Sequence, residues 1–141
     1  MSIADVAALT SVVGFGYEGL TQRELDSQVV GAGVDVLADV RLTPISRKPG
    51  LSKNALSAAL QDAGVRYVHL RGLGNPKWNR QGFSVADPQA RAVYRDLLRE
   101  DEGLRGLEVL RSLCASGLTV GLLCFEKSQR HCHRDVILSV V

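Results

Sequence analysis

Short apolar runs that alternate with capped helical segments constrain this chain more than any other feature of its sequence. Four runs rich in branched residues have the length of strands, at 11–15, 34–40, 65–70 and 118–125. Helical segments separate these runs, and the alternation predicts right-handed βαβ units around a mostly parallel sheet. We therefore expect residues 1–141 to form a single compact α/β domain, with a sheet of four or more strands and helices on both faces.

Side-chain caps mark where the helices are expected to begin. Thr21 opens a capping box, and Asp87 stands before a proline at the first helical position. Ser52 is the expected cap of the helix that follows the second strand. The stretch 71–84 is rich in glycine and polar residues and predicts a long loop. A last helix is expected over 132–141.

Size and composition limit the class of protein. A length of 141 residues is sufficient for one domain with a hydrophobic core. No apolar run approaches the roughly 20 residues needed to cross a bilayer, and the first residues lack the basic n-region of a signal peptide. The three cysteines are therefore expected to be reduced thiols. The sequence predicts a cytoplasmic protein without a membrane partner, and it does not indicate an oligomeric state.

Positive charge is concentrated in the loops that follow the second, third and fourth predicted strands. Three stretches hold ten of the seventeen Lys and Arg residues and a single carboxylate, that of Glu126. If the strands are parallel, these loops emerge at the same edge of the sheet, where open α/β sheets bind their ligands. The sequence therefore predicts a cationic pocket for an anion such as a phosphate. The ten basic residues are Arg41, Arg47, Lys48, Lys53, Arg71, Lys77, Arg80, Lys127, Arg130 and Arg134.

The segment GFGYEG after the first strand matches the three-glycine pattern of dinucleotide-binding proteins. In that fingerprint the helix opens among the glycines, so that its first amides meet the pyrophosphate. Here the capping box delays the helix to Thr21, past Gly19. The segment is better explained as a tight turn, from which Tyr17 and Glu18 are expected to point into the pocket as ligand-binding residues. We expect no cofactor.

Asp39 and Arg41 stand two residues apart at the end of the second strand and therefore share one face. They could form a purely structural ion pair. Alternatively, Asp39 acts as a catalytic base or orients Arg41 toward an anion. Arg47, farther along the same loop, is a second expected ligand-binding residue.

The loop after the third strand interleaves the only tryptophan of the chain with cations and amides. An exposed Trp78 flanked by Asn75 and Lys77 suits base stacking combined with phosphate contact. The alternative is that Trp78 folds back onto the domain.

The segment CFEKSQRHCHR after the fourth strand is the densest in reactive side chains. Cys124 and Arg130 have the C-x5-R spacing of phosphatase loops, in which a strand-end thiolate is the nucleophile. The five residues between them lack glycine and include Glu126, which would repel a phosphate. Metal binding is also not favoured, because the spacings do not match a zinc site and because adjacent residues on a helix point in different directions. Cys132 is expected in the core.

Glu126 lies among cations in this segment and has two possible uses. In the first, it holds Arg130 or Arg134 in one rotamer, so that the guanidinium meets an anion in a fixed geometry. Alternatively, Glu126 is a catalytic group that takes a proton from a substrate. His133, Arg130 and Arg134 are the expected ligand-binding residues here.

Four segments of the chain together resemble a known family. They are VGFGYEG, DVLADVRLTPISRKPGLSKNAL, GVRYVHLRGLGNPKW and LLCFEKSQRHCHRDVI, in that order. They resemble the uncharacterised bacterial family named domain of unknown function 488, over nearly the whole chain. The resemblance implies a compact α/β fold and carries no established reaction or cofactor. It marks as shared motif positions Asp39, Arg41, Gly74, Asn75, Cys124, Glu126 and 132–134.

Three functions remain open from the sequence. The first is an enzyme whose anion pocket acts on a nucleotide or nucleic acid, with Asp39 or Glu126 as acid or base. The second is a binding module that holds nucleic acid with the same basic loops and catalyses nothing. The third is a cysteine-dependent enzyme centred on Cys124.

Overall fold

One parallel sheet forms the centre of the protein, seen in a computed structural model that describes residues 12–141. Its strands are β1 Val12–Gly16, β2 Val36–Asp39, β3 Arg66–His69 and β4 Val120–Cys124, in the spatial order β1-β4-β2-β3. The parallel sheet of four strands is therefore confirmed, and β4 lies between β1 and β2. Ser11, with which the first predicted strand begins, lies outside the described residues, as does the N-terminal segment in which a signal peptide was not expected.

Within residues 12–141, six helices connect or follow the strands. Three of them begin close to their predicted caps: the Thr21 capping box is formed, and the Asp87 carboxylate accepts a hydrogen bond from the Gln89 amide. Ser52 takes the N-cap position, but its hydroxyl bonds the Ser46 backbone instead of the helix. The helices are α1 Gln22–Gly31, α2 Lys53–Asp62, α3 Lys77–Ser84, α4 Pro88–Leu98, α5 Asp101–Ala115 and α6 Arg134–Val140.

Two boundaries differ from the sequence prediction. The stretch 71–84, expected to be a loop, contains a short 3-10 turn at Arg71–Leu73 and the helix α3. The last helix begins at Arg134, so Cys132 precedes it in extended backbone with φ −136° and ψ 149°. A second 3-10 turn, Gln129–His131, fills the space between β4 and Cys132.

Apolar side chains on alternate strand positions build a separate core on each face of the sheet. Leu37 and Leu123 pack with α1 and α2 on one face. Ala38 and Leu122 pack with α4, α5 and α6 on the other. Helices therefore cover both faces, as predicted. Within the part of the chain that the structure describes, no helix has both the length and the apolar character that crossing a bilayer requires.

This topology opens a crevice at the carboxyl ends of the central strands. The chain leaves β2 toward α2 on one face and leaves β4 toward α6 on the opposite face. Because β2 and β4 are neighbours, their loops diverge from a shared point of the sheet edge. Open α/β sheets bind ligands at such a divergence.

Candidate functional site

A cleft of about 280 Å³ lies between the loops that follow β2 and β4. Its walls come from four parts of the chain: the turn after β1, the loop after β2, the start of α3 and the segment after β4. The lining residues are Tyr17, Arg41, Leu42, Thr43, Ile45, Asn75, Lys77, Arg80, Cys124, Phe125 and His133. The cleft therefore brings together seven of the residues that the sequence indicated, namely Tyr17, Arg41, Asn75, Lys77, Arg80, Cys124 and His133.

Asp39 and Arg41 form a buried bidentate ion pair at the end of β2. Arg41 Nη2 lies 2.7 Å from Asp39 Oδ2, and Arg41 Nε donates to Oδ1 at 2.9 Å. The Asp39 carboxylate also accepts hydrogen bonds from the Arg41 amide and the Tyr67 hydroxyl. Asp39 is wholly buried and its oxygens are occupied, which does not fit a base that takes a proton directly from a ligand. Its geometry fits the alternative, an aspartate that positions Arg41.

Arg41 is fixed by partners from the turn after β1 and from the end of the loop after β2. Its Nη1 donates to the Leu51 carbonyl at 2.7 Å and to the Tyr17 hydroxyl at 3.4 Å. Burial disfavours the charged guanidinium, but the hydrogen bonds and charge of Asp39 outweigh burial and raise the pKa of Arg41. At most one N–H of this side chain remains for a ligand. Arg41 is therefore a rigid, permanently charged part of the cleft wall.

Two thiols and an imidazole meet at the floor of the cleft. His133 Nδ1 lies 3.8 Å from Cys124 Sγ and 3.6 Å from Cys132 Sγ. The ligand atoms of these three residues all lie within 4.8 Å of one another, and all three residues are buried. His133 Nε2 lies 2.7 Å from the Val40 carbonyl, which can only accept, so Nε2 carries a proton. The Tyr94 ring packs edge-on against the imidazole and holds it in place.

The two thiols of this cluster differ in acidity. The interaction with Cys132, together with burial, raises the pKa of Cys124 well above that of a free thiol. Burial also opposes ionisation of Cys132, but hydrogen bonds with Cys124 and His133 and the charges of His133 and Arg134 lower its pKa. A nucleophile centred on Cys124 needs the opposite shift. The third function is therefore not favoured in the form that the sequence indicated.

The start of α3 forms the outer wall of the cleft. Asn75 is buried and accepts a hydrogen bond from Asn79 Nδ2 at 3.0 Å, and Asn79 also donates to the Ala90 carbonyl. These contacts anchor α3 against α4, so that Lys77 and Arg80, one turn apart, both line the cleft. Trp78 is 71% exposed beside them and does not fold back onto the domain.

Glu126 lies at the edge of the cleft, but its carboxylate does not contact Arg130 or Arg134, which one of its two suggested uses required. Its Oε1 is 3.5 Å from Arg80 Nη2, and its Oε2 accepts a hydrogen bond from Cys124 Sγ at 2.9 Å. Only its backbone carbonyl contacts Arg134. The expected tie between the Glu126 carboxylate and Arg130 or Arg134 is therefore wrong, because the side chain turns toward α3 instead.

Four other expected ligand-binding residues do not line the cleft. Arg134 is almost completely buried, and its Nε donates to Cys132 Sγ at 3.3 Å. Glu18 accepts a hydrogen bond from the Lys127 amide and lines a neighbouring groove of about 810 Å³. Arg130 borders a separate depression beside Arg91. Arg47 is exposed in the loop after β2 and lies outside the cleft lining.

The glycines of GFGYEG have a packing role. A Cβ on Gly16 would lie 1.9 Å from the Glu126 carbonyl, and one on Gly14 would lie 2.3 Å from the Gln129 side chain. Because Gly14 and Gly16 have no side chains, the segment after β4 can pass close to the end of β1. Gly19, the third glycine, has open space around it but a φ of +79°, which favours glycine, so the three positions are explained without a dinucleotide.

Two site residues at the end of β3 were not singled out from the sequence. Tyr67 donates to Asp39, and His69 Nε2 lies 2.7 Å from the Arg41 carbonyl. Burial, with the Asp39 charge, raises the pKa of the Tyr67 hydroxyl and keeps it a donor. The signal was available: two polar residues at i and i+2 on a strand next to β2 share the face that carries Asp39.

Comparison with known proteins identifies the family of this chain. Residues 22–141 match the model of the family described as domain of unknown function DUF488, so the chain belongs to that family. Neither the curated proteins nor the solved structures contain a significant match.

Proposed function

We propose that this member of the family binds a phosphate-bearing ligand, a nucleotide or one nucleotide of a nucleic acid, in the cleft between the β2 and β4 loops. One observation carries the proposal. Lys77, Arg80 and Arg41 face one cavity, and the Asp39 and Glu126 carboxylates that pair with the two arginines are not among the described residues that line it. Such an arrangement concentrates positive potential on a protein whose formal net charge is only +2.

The cations at the mouth are available to an incoming anion. Lys77 is exposed, and the Arg80 side chain is 45% exposed. The contact of Arg80 with Glu126 is long and partly solvated, so it contributes at most about 1 kcal/mol and can be exchanged for a phosphate. Pro76, at the N-cap of α3, carries no side-chain acceptor, so the first amides of that helix favour an anion as well.

The size of the cleft favours a small ligand. Its volume of about 280 Å³ lies at the lower end of ligand pockets, which run from roughly 300 to 1,000 Å³. A phosphate with part of a nucleoside suits that space better than a dinucleotide. Ile45 and Trp78 are 72% and 71% exposed, one on the rim and one next to Lys77. They offer apolar surface for a base outside the cleft.

Binding is the part of the function that the geometry supports best. Asp39 is enclosed by donors, and Cys124 holds its proton, so neither supports direct catalysis in its present state. Three reduced cysteines suit a cytoplasmic setting. A turnover assay with mononucleotides and with single-stranded RNA and DNA separates an enzyme from a binding module.

Intrinsic fluorescence of Trp78, the only tryptophan, provides the test. We expect saturable changes on titration with mononucleotides or short single strands at low salt. For a strand, log K should fall with log salt by about 0.7 per phosphate contacted. Lys77→Ala and Arg80→Ala should each remove a charge-assisted contact of about 1.5–3 kcal/mol, which is roughly 10- to 150-fold in affinity.

Matched control variants show whether a loss of affinity is specific to the cleft. Lys53 is an exposed lysine at the first position of α2, as Lys77 is at the first position of α3. Lys53→Ala and the exposed Arg95→Ala should leave affinity unchanged. Equal weakening by Lys53→Ala would indicate diffuse attraction to a basic surface. Absence of binding to inorganic phosphate, nucleotides and single strands at low salt would overturn the proposal.

A further inference from the structure

We infer that Cys124, Cys132 and His133 form a binding site for a zinc-type divalent cation, with one coordination position open toward the cleft. The inference rests on geometry that the sequence alone did not reveal. The sequence argued against a metal site, because the side chains of adjacent residues on a helix point in different directions. Cys132 precedes α6 in extended backbone, so it and His133 can both turn toward Cys124.

The two sulfur-to-nitrogen distances of the cluster match those of a tetrahedral zinc site. Zinc bonds of about 2.3 Å to sulfur and 2.0–2.1 Å to nitrogen place tetrahedral S and N ligands about 3.6 Å apart. The observed separations from His133 Nδ1 are 3.8 Å to Cys124 Sγ and 3.6 Å to Cys132 Sγ. Within the described residues, these two cysteines and the histidine lie close enough together to hold one metal ion.

Surrounding groups prepare these atoms as ligands. The Val40 carbonyl accepts the Nε2 proton of His133, which directs the Nδ1 lone pair toward the thiols. Metal-bound histidines are usually held by such a partner on the second nitrogen. Arg134 Nε donates to Cys132 Sγ at 3.3 Å, an interaction that favours the thiolate. Cysteine binds a metal as the thiolate, so this donor prepares Cys132 as a ligand.

Proton balance for cation entry is simple. The metal forms bonds to two thiolates and one neutral imidazole, so the proton of Cys124 and the one shared between Cys132 and His133 pass to solvent. The two thiolate charges neutralise a divalent cation. Soft thiolates with one imidazole favour zinc over magnesium or calcium.

The open position faces the cleft because Cys124 and His133 line it, whereas Cys132 closes the site from behind. Three protein ligands with a vacant fourth position are typical of a zinc ion that binds water or a ligand oxygen. Glu126 Oε2 lies 2.9 Å from Cys124 Sγ, one of the three ligand atoms. The metal site does not depend on the proposed anion, and it can be tested with metal alone.

Cobalt(II) is the direct probe. The reduced, chelator-treated full chain is titrated with Co²⁺ and then with Zn²⁺. We expect one Co²⁺ per chain, thiolate-to-cobalt charge-transfer absorption in the near ultraviolet, and the intense visible bands of a four-coordinate ion. Added Zn²⁺ should bleach both. No charge-transfer absorption from folded wild-type protein at stoichiometric Co²⁺ would overturn the inference.

Cysteine variants localise the site. Cys124→Ser and Cys132→Ser should each lose Co²⁺ binding and charge-transfer absorption, whereas Cys114→Ser, on α5, should keep both. Wild-type spectra from Cys132→Ser would contradict the inference. If the two variants fail to fold, X-ray absorption of zinc-loaded wild-type protein decides. Two sulfurs at about 2.3 Å and one nitrogen at about 2.0–2.1 Å are expected, and a shell of oxygen and nitrogen alone would refute the assignment.

Discussion

Arg41 makes more hydrogen bonds within the protein than any other charged residue that lines the cleft. It joins the end of β2 to the turn after β1 through Tyr17 and to the start of α2 through Leu51. Its bidentate contact with Asp39 is almost completely removed from water. A cation in this setting shapes the cleft before any ligand arrives, and loss of the cation leaves a buried negative charge without its partner.

Arg41→Met should therefore destabilise the protein by about 3–5 kcal/mol, because Asp39 would remain buried with only the Tyr67 hydroxyl and a backbone amide as donors. Urea denaturation followed by circular dichroism measures the change. Arg47→Met, in the same loop but exposed, is the control and should stay within about 0.5 kcal/mol of wild type. If both variants lost a similar free energy of unfolding, the buried Asp39–Arg41 pair would contribute no more to stability than an exposed arginine does.

At the scale of the helix, the N-caps allow a matched comparison of two acidic residues. Asp87 caps α4 through its carboxylate, which accepts from the Gln89 amide at 2.9 Å. Glu100 takes the same position before α5, and in the described part of the chain its side chain makes no capping hydrogen bond. The same removal of charge should thus have different consequences at the two positions.

Asp87→Ala should lower the free energy of unfolding by about 1 kcal/mol, since an amide of the first turn of α4 loses its acceptor. Glu100→Ala should change it by less than about 0.5 kcal/mol. Thermal and urea denaturation of the two variants give the comparison. Equal effects would show that charge near the helix start, and not the hydrogen bond, stabilises these ends.

The elements that the sequence predicted well are those specified by local signals. Thr21 and Asp87 mark their helices by capping chemistry, and the strands are marked by branched apolar runs. The helix α3 escaped prediction because its N-cap is Pro76 and its sequence contains Gly82. It is held by tertiary contacts: Asn79 and Phe83, one turn apart, are both buried.

The site was predictable only as far as it follows strand ends. Asp39, Arg41 and Cys124 were located because a parallel sheet gathers its carboxyl ends at one edge. The position of His133 beside both thiols depends on two backbone dihedrals at Cys132, which spacing alone does not specify. The burial of Arg134 likewise depends on how closely the segment after β4 approaches Gly14 and Gly16.

At the scale of the whole molecule, a bound ligand should stabilise the entire fold. The cleft is built from the turn after β1, the loop after β2, α3 and the segment after β4, so global unfolding destroys it. At a ligand concentration of a hundred times Kd, the free energy of unfolding should rise by about 2.7 kcal/mol. Differential scanning calorimetry with a mononucleotide tests this. Lys77→Ala should reduce the stabilisation at the same concentration, and an unshifted wild-type transition would contradict the proposed site.

The strand order β1-β4-β2-β3 has a consequence for biosynthesis. The ribosome makes β4 last of the four strands, yet β4 lies between β1 and β2 and pairs with both. Until β4 emerges, the nascent chain has a gap in the middle of its sheet, with unpaired backbone on both sides. A truncated chain that ends at Leu118 should therefore lack a cooperative urea transition and bind hydrophobic dyes. A peptide of residues 118–141 should restore cooperativity by strand addition. A sharp transition in the truncated chain alone would show that the earlier strands fold without their central partner.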